Sequence, residues 1–158
     1  MFRRVFLVLS ICLLLSSLAA VAADKPDFSG QWKLNLEKSD FGPMPKPDKA
    51  DYTVTHKDPD MTIKTVMSSS QMGEMTVEIK IFTDGREFTN EMNGQQIKGT
   101  AKWEGKSLVV TSKFQVQDAE IKFIQKWTLS DDGKSLTQEI SISSPQGDLQ
   151  QKAVLDKV

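Results

Sequence analysis

The sequence predicts an all-β chain of about ten antiparallel strands closed into an up-and-down barrel. Three observations predict it. Apolar and polar residues alternate in run after run, Gly-containing turn pairs separate the runs, and no stretch beyond residue 23 sustains a helical period. Alternating side chains share one face of a strand, so each run carries an inward apolar set and an outward polar one.

The first 23 residues stand apart. Phe2-Arg3-Arg4 supplies a positive start, Val5 to Leu18 an apolar run, and Ala20-Val21-Ala22-Ala23 small residues for cleavage. We expect residues 1–23 to be a signal peptide cut after Ala22 or Ala23, leaving 24–158 as one barrel domain in the periplasm or outside the cell, with no membrane span. Cys12, the single cysteine, leaves with that segment, and Ile11 before it is not the small residue that lipidation requires. Hydrophobic core and strand pairing must then carry stability without a disulfide. Arg3 and Arg4 account for two of the 20 basic residues against 21 acidic ones. The remainder is slightly acidic, which argues against nucleic acid as a partner and against a polybasic membrane-surface mode.

Ten runs follow, over residues 30–37, 51–56, 61–67, 74–83, 86–92, 95–103, 106–115, 119–129, 134–143 and 149–157. Trp32, Leu34 and Leu36 share parity in the first; Tyr52, Val54 and His56 in the second; Met75, Val77, Ile79 and Ile81 in the fourth. Arg86, Phe88, Asn90 and Met92 align in the fifth, Ile97, Gly99, Ala101 and Trp103 in the sixth, and Leu108, Val110, Ser112 and Phe114 in the seventh. The eighth has Phe123, Gln125, Trp127 and Leu129, and the ninth Leu136, Gln138, Ile140 and Ile142. Asp84-Gly85, Asn93-Gly94, Glu104-Gly105 and Asp131-Asp132-Gly133 fall between runs and suit tight hairpins. The one long connection, Lys38 to Ala50, carries Pro43, Pro45 and Pro47 and is expected to be an extended flap rather than a helix.

Hairpin after hairpin, with no long return crossing, fits a closed barrel, which would remove both exposed edges. An outer-membrane barrel is excluded because the outward set is Lys, Glu, Gln and Thr where lipid demands apolar residues. Ten strands make a barrel wider than side chains readily fill, so an internal cavity is expected, with Gln125 and Gln138 on its wall.

The opening Asp27-Phe28-Ser29-Gly30-Gln31-Trp32-Lys33-Leu34 resembles the start of the calycins, the lipocalins and fatty-acid-binding proteins. Ala101 to Leu108 and Trp127 to Leu136 are similar to late hairpins of fatty-acid-binding proteins, and Phe28 to Trp32 with Lys38 to Pro43 resembles small secreted bacterial lipocalin-like proteins. The resemblance implies a barrel around an internal ligand cavity, with Trp32 plugging the closed end. Two departures accompany it. The connection after the first strand is too short and proline-rich for a helical lid, and Ala153-Val154-Leu155 stands where the Arg-x-Tyr pair would grip a carboxylate.

The expected function is non-catalytic binding of a small hydrophobic or amphiphilic molecule. Trp103, Trp127, Phe88 and Phe114 are candidate apolar contacts and Gln125 and Gln138 candidate polar ones. Arg86, the one arginine beyond Arg4, either clamps an anionic head group or points to solvent at the rim. One alternative is a Cu(I) site built from His56, Met61, Met67, Met72 and Met75; another is a filled barrel that binds a protein on its outer face. A single His and no cysteine beyond Cys12 leave no nucleophile and base pair to propose, and neither a cofactor nor a calcium loop is expected. Protein recovered from the cell envelope should have an intact mass corresponding to a start at Ala23 or Asp24, and retention of Arg3 and Arg4 would overturn the expectation of export.

Overall fold

The alternation becomes ten strands in a computed structural model that describes residues 25–71, 73–116 and 118–158. The expected signal peptide, Cys12 and Met72 lie outside the described residues. The strands are β1 (Gly30–Leu34), β2 (Lys49–Lys57), β3 (Asp60–Ser69), β4 (Gly73–Phe82), β5 (Asp84–Met92), β6 (Gln95–Glu104), β7 (Ser107–Val116), β8 (Ala119–Leu129), β9 (Ser135–Ser144) and β10 (Gly147–Lys157). They form one antiparallel sheet in the order β4-β3-β2-β1-β10-β9-β8-β7-β6-β5. Every neighbouring pair is therefore consecutive in the chain except β1 with β10, where Trp32 pairs with Lys157 and Leu34 with Leu155.

Two expectations need correction. β1 ends at Leu34 rather than at residue 37, because the Asn35 side-chain oxygen Oδ1 accepts the backbone N–H of Glu37 and of Lys38, both at 3.1 Å, and turns the chain. Leu36 is consequently exposed instead of inward. Nor are both edges removed. No backbone ladder links β4 to β5, the two ends of the sheet order, so the barrel has a seam. Across it the Asn90 side chain takes the place of a strand: its oxygen accepts the Lys80 N–H at 2.8 Å and its amide donates to the Lys80 carbonyl at 2.9 Å.

Asp84-Gly85, expected as a tight hairpin turn, instead opens β5, and the strands it joins share no ladder; the Asn93-Gly94 turn is as the sequence requires. Asn93 and Gly94 have φ of 52° and 77°, the paired positive values of a two-residue hairpin loop between Met92 and Gln95. Gly99 serves a different need. A Cβ there would lie 2.3 Å from the Thr111 carbonyl oxygen and 2.6 Å from the Phe88 ring, so the bare backbone lets that ring pack flat against β6.

Packing is densest at one end. Phe28, Trp32, Met61, Ile81, Leu108, Leu136 and Leu155 are fully buried, each contributing about 1.5–3 kcal/mol relative to exposure. Trp32 anchors this closed end as expected, donating its indole N–H to the Phe28 carbonyl at 3.0 Å. The proline-rich connection is held at both of its ends. Asp40 exchanges two 2.7 Å backbone bonds with Lys152, and the Asp48 N–H donates to the Ser68 carbonyl at 2.9 Å. Replacing Asn90 by Leu removes both bonds across the seam, each worth about 0.5–1.5 kcal/mol. Hydrogen exchange at the Lys80 amide should then quicken by about tenfold while the amides of β8 and β9 stay protected; unchanged exchange at Lys80 would show that the seam is held by other contacts.

Candidate functional site

The inward sets close over a cavity of about 490 Å³. Ile63, Met67, Met75, Val77 and Ile79 come to it from β3 and β4, and Phe123, Trp127, Ile140 and Ile142 from β8 and β9. Phe41, Met44, Pro45, Lys46 and Pro47 of the connection also line it, so the flap covers the mouth. Gln151 fixes that flap by donating its amide N–H to the Phe41 carbonyl at 3.3 Å.

Polar groups interrupt this apolar wall. Gln125 and Gln138 both line it, as the alternation of β8 and β9 expects. The Trp127 indole N–H donates to the Gln125 carbonyl oxygen at 3.3 Å, and Gln138 stands directly opposite Trp127 across the β8–β9 pair. Gln138 is only 3% exposed, and its amide nitrogen has no hydrogen-bond partner among the described residues. Tyr52 and Thr65, register partners on β2 and β3, place two hydroxyls on the same cavity. Burial pushes the Tyr52 hydroxyl up to about 12, so it stays protonated.

The other candidates lie elsewhere. The exposed Arg86 donates its Nε–H to Asp84 at 2.8 Å, and its guanidinium rests over the Phe82 ring at 4.2 Å, which puts it at the rim and not in the cavity. Phe88 is buried in the core over Gly99, and Phe114 packs against Phe123, ring centres 5.4 Å apart, without itself lining the space. Trp103 belongs to the closed end, stacked on Phe28 at 5.6 Å. Parity identified the inward side of each strand; it carried no information on height along the barrel. Tyr52, Thr65 and the flap were readable as inward or proline-rich, but nothing local assigned them to the cavity.

The copper ligand set is divided. His56 pairs with Met61 at the closed end, whereas Met67 and Met75 face each other near the mouth. Six residues of β3 separate Met61 from Met67, roughly 20 Å. Among the described residues no cluster of three or more His, Cys, Asp and Glu could hold a metal. A second, shallower concavity lies on the outer face of β7 to β10, crossed by the row Val109, Lys126, Glu139 and Lys152.

With this geometry the chain can be set beside known proteins. Solved structures share its fold. An SAHS (abundant heat soluble) protein of Ramazzottius varieornatus superposes with a TM-score of 0.62 at 13% identity, over 83% of this chain and 95% of that one. The fold is that of the calycins. Zebrafish ileal bile acid-binding protein complexed with cholic acid gives 0.58 at 20% identity, covering 83% and 98%. Human cRBP IV gives 0.53 at 16%, covering 84% and 99%. No protein-family model matches the sequence, and no curated protein is similar to it. Within this barrel the seam, the plugged end and the flap-covered mouth bound the cavity.

The closed end holds the one histidine. The His56 side chain is 4% exposed, its Nδ1 accepts the Phe28 N–H at 3.3 Å, and its Nε2 is buried without a partner. Accepting that bond requires an unprotonated Nδ1, so the folded state holds neutral imidazole. Burial lowers its pKa, against an opposing pull from Asp27 and Asp58 at 3.7 and 3.9 Å. The unfolded chain therefore takes up a proton that the folded chain refuses. Stability should fall as pH drops from about 6.5 toward the lowered value, then level off on this group's account. His56→Asn, which can still accept the Phe28 N–H, should flatten that slope in denaturant titrations between pH 7 and 5; an equal slope in both proteins would assign the dependence to other groups.

Proposed function

We propose that this chain is an exported, non-catalytic binding protein that holds a small apolar or amphiphilic molecule inside its barrel. The observation that carries the reading is the cavity itself: about 490 Å³ walled by Met, Ile, Val, Phe and Trp side chains and interrupted by a few uncharged polar groups. A concave, largely apolar space with a small number of convergent polar groups is the ordinary form of a small-molecule site. Ligand surface leaving water supplies the affinity, at about 25 cal/mol per Å², and the polar groups set orientation.

The neighbours support the same reading, since one was solved with cholic acid and another is described as a fatty acid transporter. Export is supported by the charge, apolar run and small residues of positions 1–23. Absence of catalysis is supported by the chemistry of the wall: the single histidine is sealed at the closed end, away from the cavity, and no cysteine follows Cys12.

A neutral solvatochromic dye such as Nile red tests the reading. It should bind with one-to-one stoichiometry, shift to the blue and quench Trp127, and Trp127→Phe should remove most of the quenching without weakening binding. Val77→Trp and Ile140→Trp fill the space from opposite walls and should each weaken the dye by about tenfold or more, about 1.4 kcal/mol. Equal binding to the filled variants would place the dye outside the barrel and sink the proposal.

A further inference from the structure

The polar atoms of the cavity carry information on what its occupant must be. Lys46 is the single charged residue among those that line it, and Lys46 is an exposed flap residue at the mouth between Pro45 and Pro47. Every other polar side chain that lines it among the described residues, Tyr52, Thr65, Ser69, Gln125, Gln138 and Gln151, is uncharged. An anionic head group drawn into this space would lose its water and find no cation to replace it, and desolvation without a partner is the costliest step for an ion.

Gln138 adds a positive requirement. Its amide nitrogen is a buried donor left without an acceptor, in a side chain that is almost wholly buried and lines the cavity. A buried donor left unmade is unfavourable, and a ligand oxygen would satisfy it. Gln125 is partly committed, because its oxygen already accepts from Trp127, but its amide N–H groups are not used in that bond. Two amides with N–H groups to offer therefore stand on the β8–β9 wall, while β3 and β4 present Ile63, Met75, Val77 and Ile79 with the hydroxyls of Thr65 and Ser69.

Resting on the binding reading above, we propose that the ligand is an uncharged amphiphile, an apolar body ending in a hydroxyl, carbonyl or amide oxygen, and that Gln138 receives that oxygen. The same wall discriminates against carboxylates, sulfates and phosphates of equal length. Selectivity comes from what the cavity omits as much as from what it offers, since a site built of neutral donors rejects a charge that it cannot pair.

The test is competition against bound Nile red by three twelve-carbon compounds, 1-dodecanol, dodecanamide and dodecanoate, at pH 8. The alcohol and the amide should displace the dye, and dodecanoate should be weaker by roughly tenfold or more, recovering as the pH falls and the acid protonates. Gln138→Leu should weaken dodecanol by roughly 10- to 100-fold, as expected for one hydrogen bond at a buried group, measured against the dye's own affinity for that variant. Tyr52→Phe, which removes only a hydroxyl, is a second probe should the first variant lose stability; under the proposal it keeps the preference for the alcohol over the carboxylate. Dodecanoate binding as tightly as the alcohol at pH 8 would overturn the head-group proposal and leave the cavity reading standing. So would unchanged dodecanol affinity in Gln138→Leu, or failure of both neutral compounds to displace a dye that does bind. Failure of the dye itself to bind would overturn the binding reading, and the proposal with it.

Discussion

Everything in this molecule depends on five residues pairing with both of their neighbours. Gly30–Leu34 is the shortest strand, yet it bonds to β2 on one side and to β10 on the other. Without β1 the edges of β2 and β10 would be bared in addition to those at the seam, and the sheet would fall into two pieces. The pairing of Leu34 with Leu155 closes a loop of most of the chain, so its entropic cost is met only once the hairpins between have formed. Trp32 makes the closure worth having. Its buried ring and its bond to the Phe28 carbonyl tie the segment before β1 across the end of the barrel, and Leu108, Leu136 and Leu155 share the same core.

One end of the barrel is thus filled and the other open, and the difference follows from residue size. Large aromatics gather where Phe28, Trp103 and Trp127 meet, with centre separations of 5.6 and 5.9 Å from Phe28. Toward the mouth the inward positions become Thr65, Met67, Ser69 and Gly73, smaller or more pliable groups that leave space between the walls. The flap crosses that space without regular structure because its prolines lack the N–H groups that a strand or helix would use. A cavity, a plug and a cover arise from one gradient in side-chain bulk along the barrel axis.

Most of the fold was legible before the structure, because alternation and turn pairs are local signals that hairpin topology simply chains together. Ten runs became ten strands, and Asn93-Gly94 took the conformation that its residues favour. Loss of Leu36 from β1 was not legible, since it turns on a side-chain bond from Asn35. The site was legible only by half. Gln125, Trp127 and Gln138 were found because a polar residue on an apolar face is conspicuous at any height. Arg86 shared the inward parity yet sits at the rim, because a charged residue one step from a turn can reach water and a nearby Asp84. Phe88 and Trp103 are inward but do not line the cavity, a fact set by strand stagger that no single strand encodes.

The seam between β4 and β5 leaves backbone groups on two adjacent edges unclaimed, and an unclaimed edge is a template for another chain. Glu74 and Glu78 on β4 and Glu87 and Glu91 on β5 are all exposed. A second molecule offering the same edges would bring carboxylates toward carboxylates. The gap that the ladder does not close is therefore flanked by four carboxylates that repel a like edge, with Lys80 and Arg86 as the cations among them.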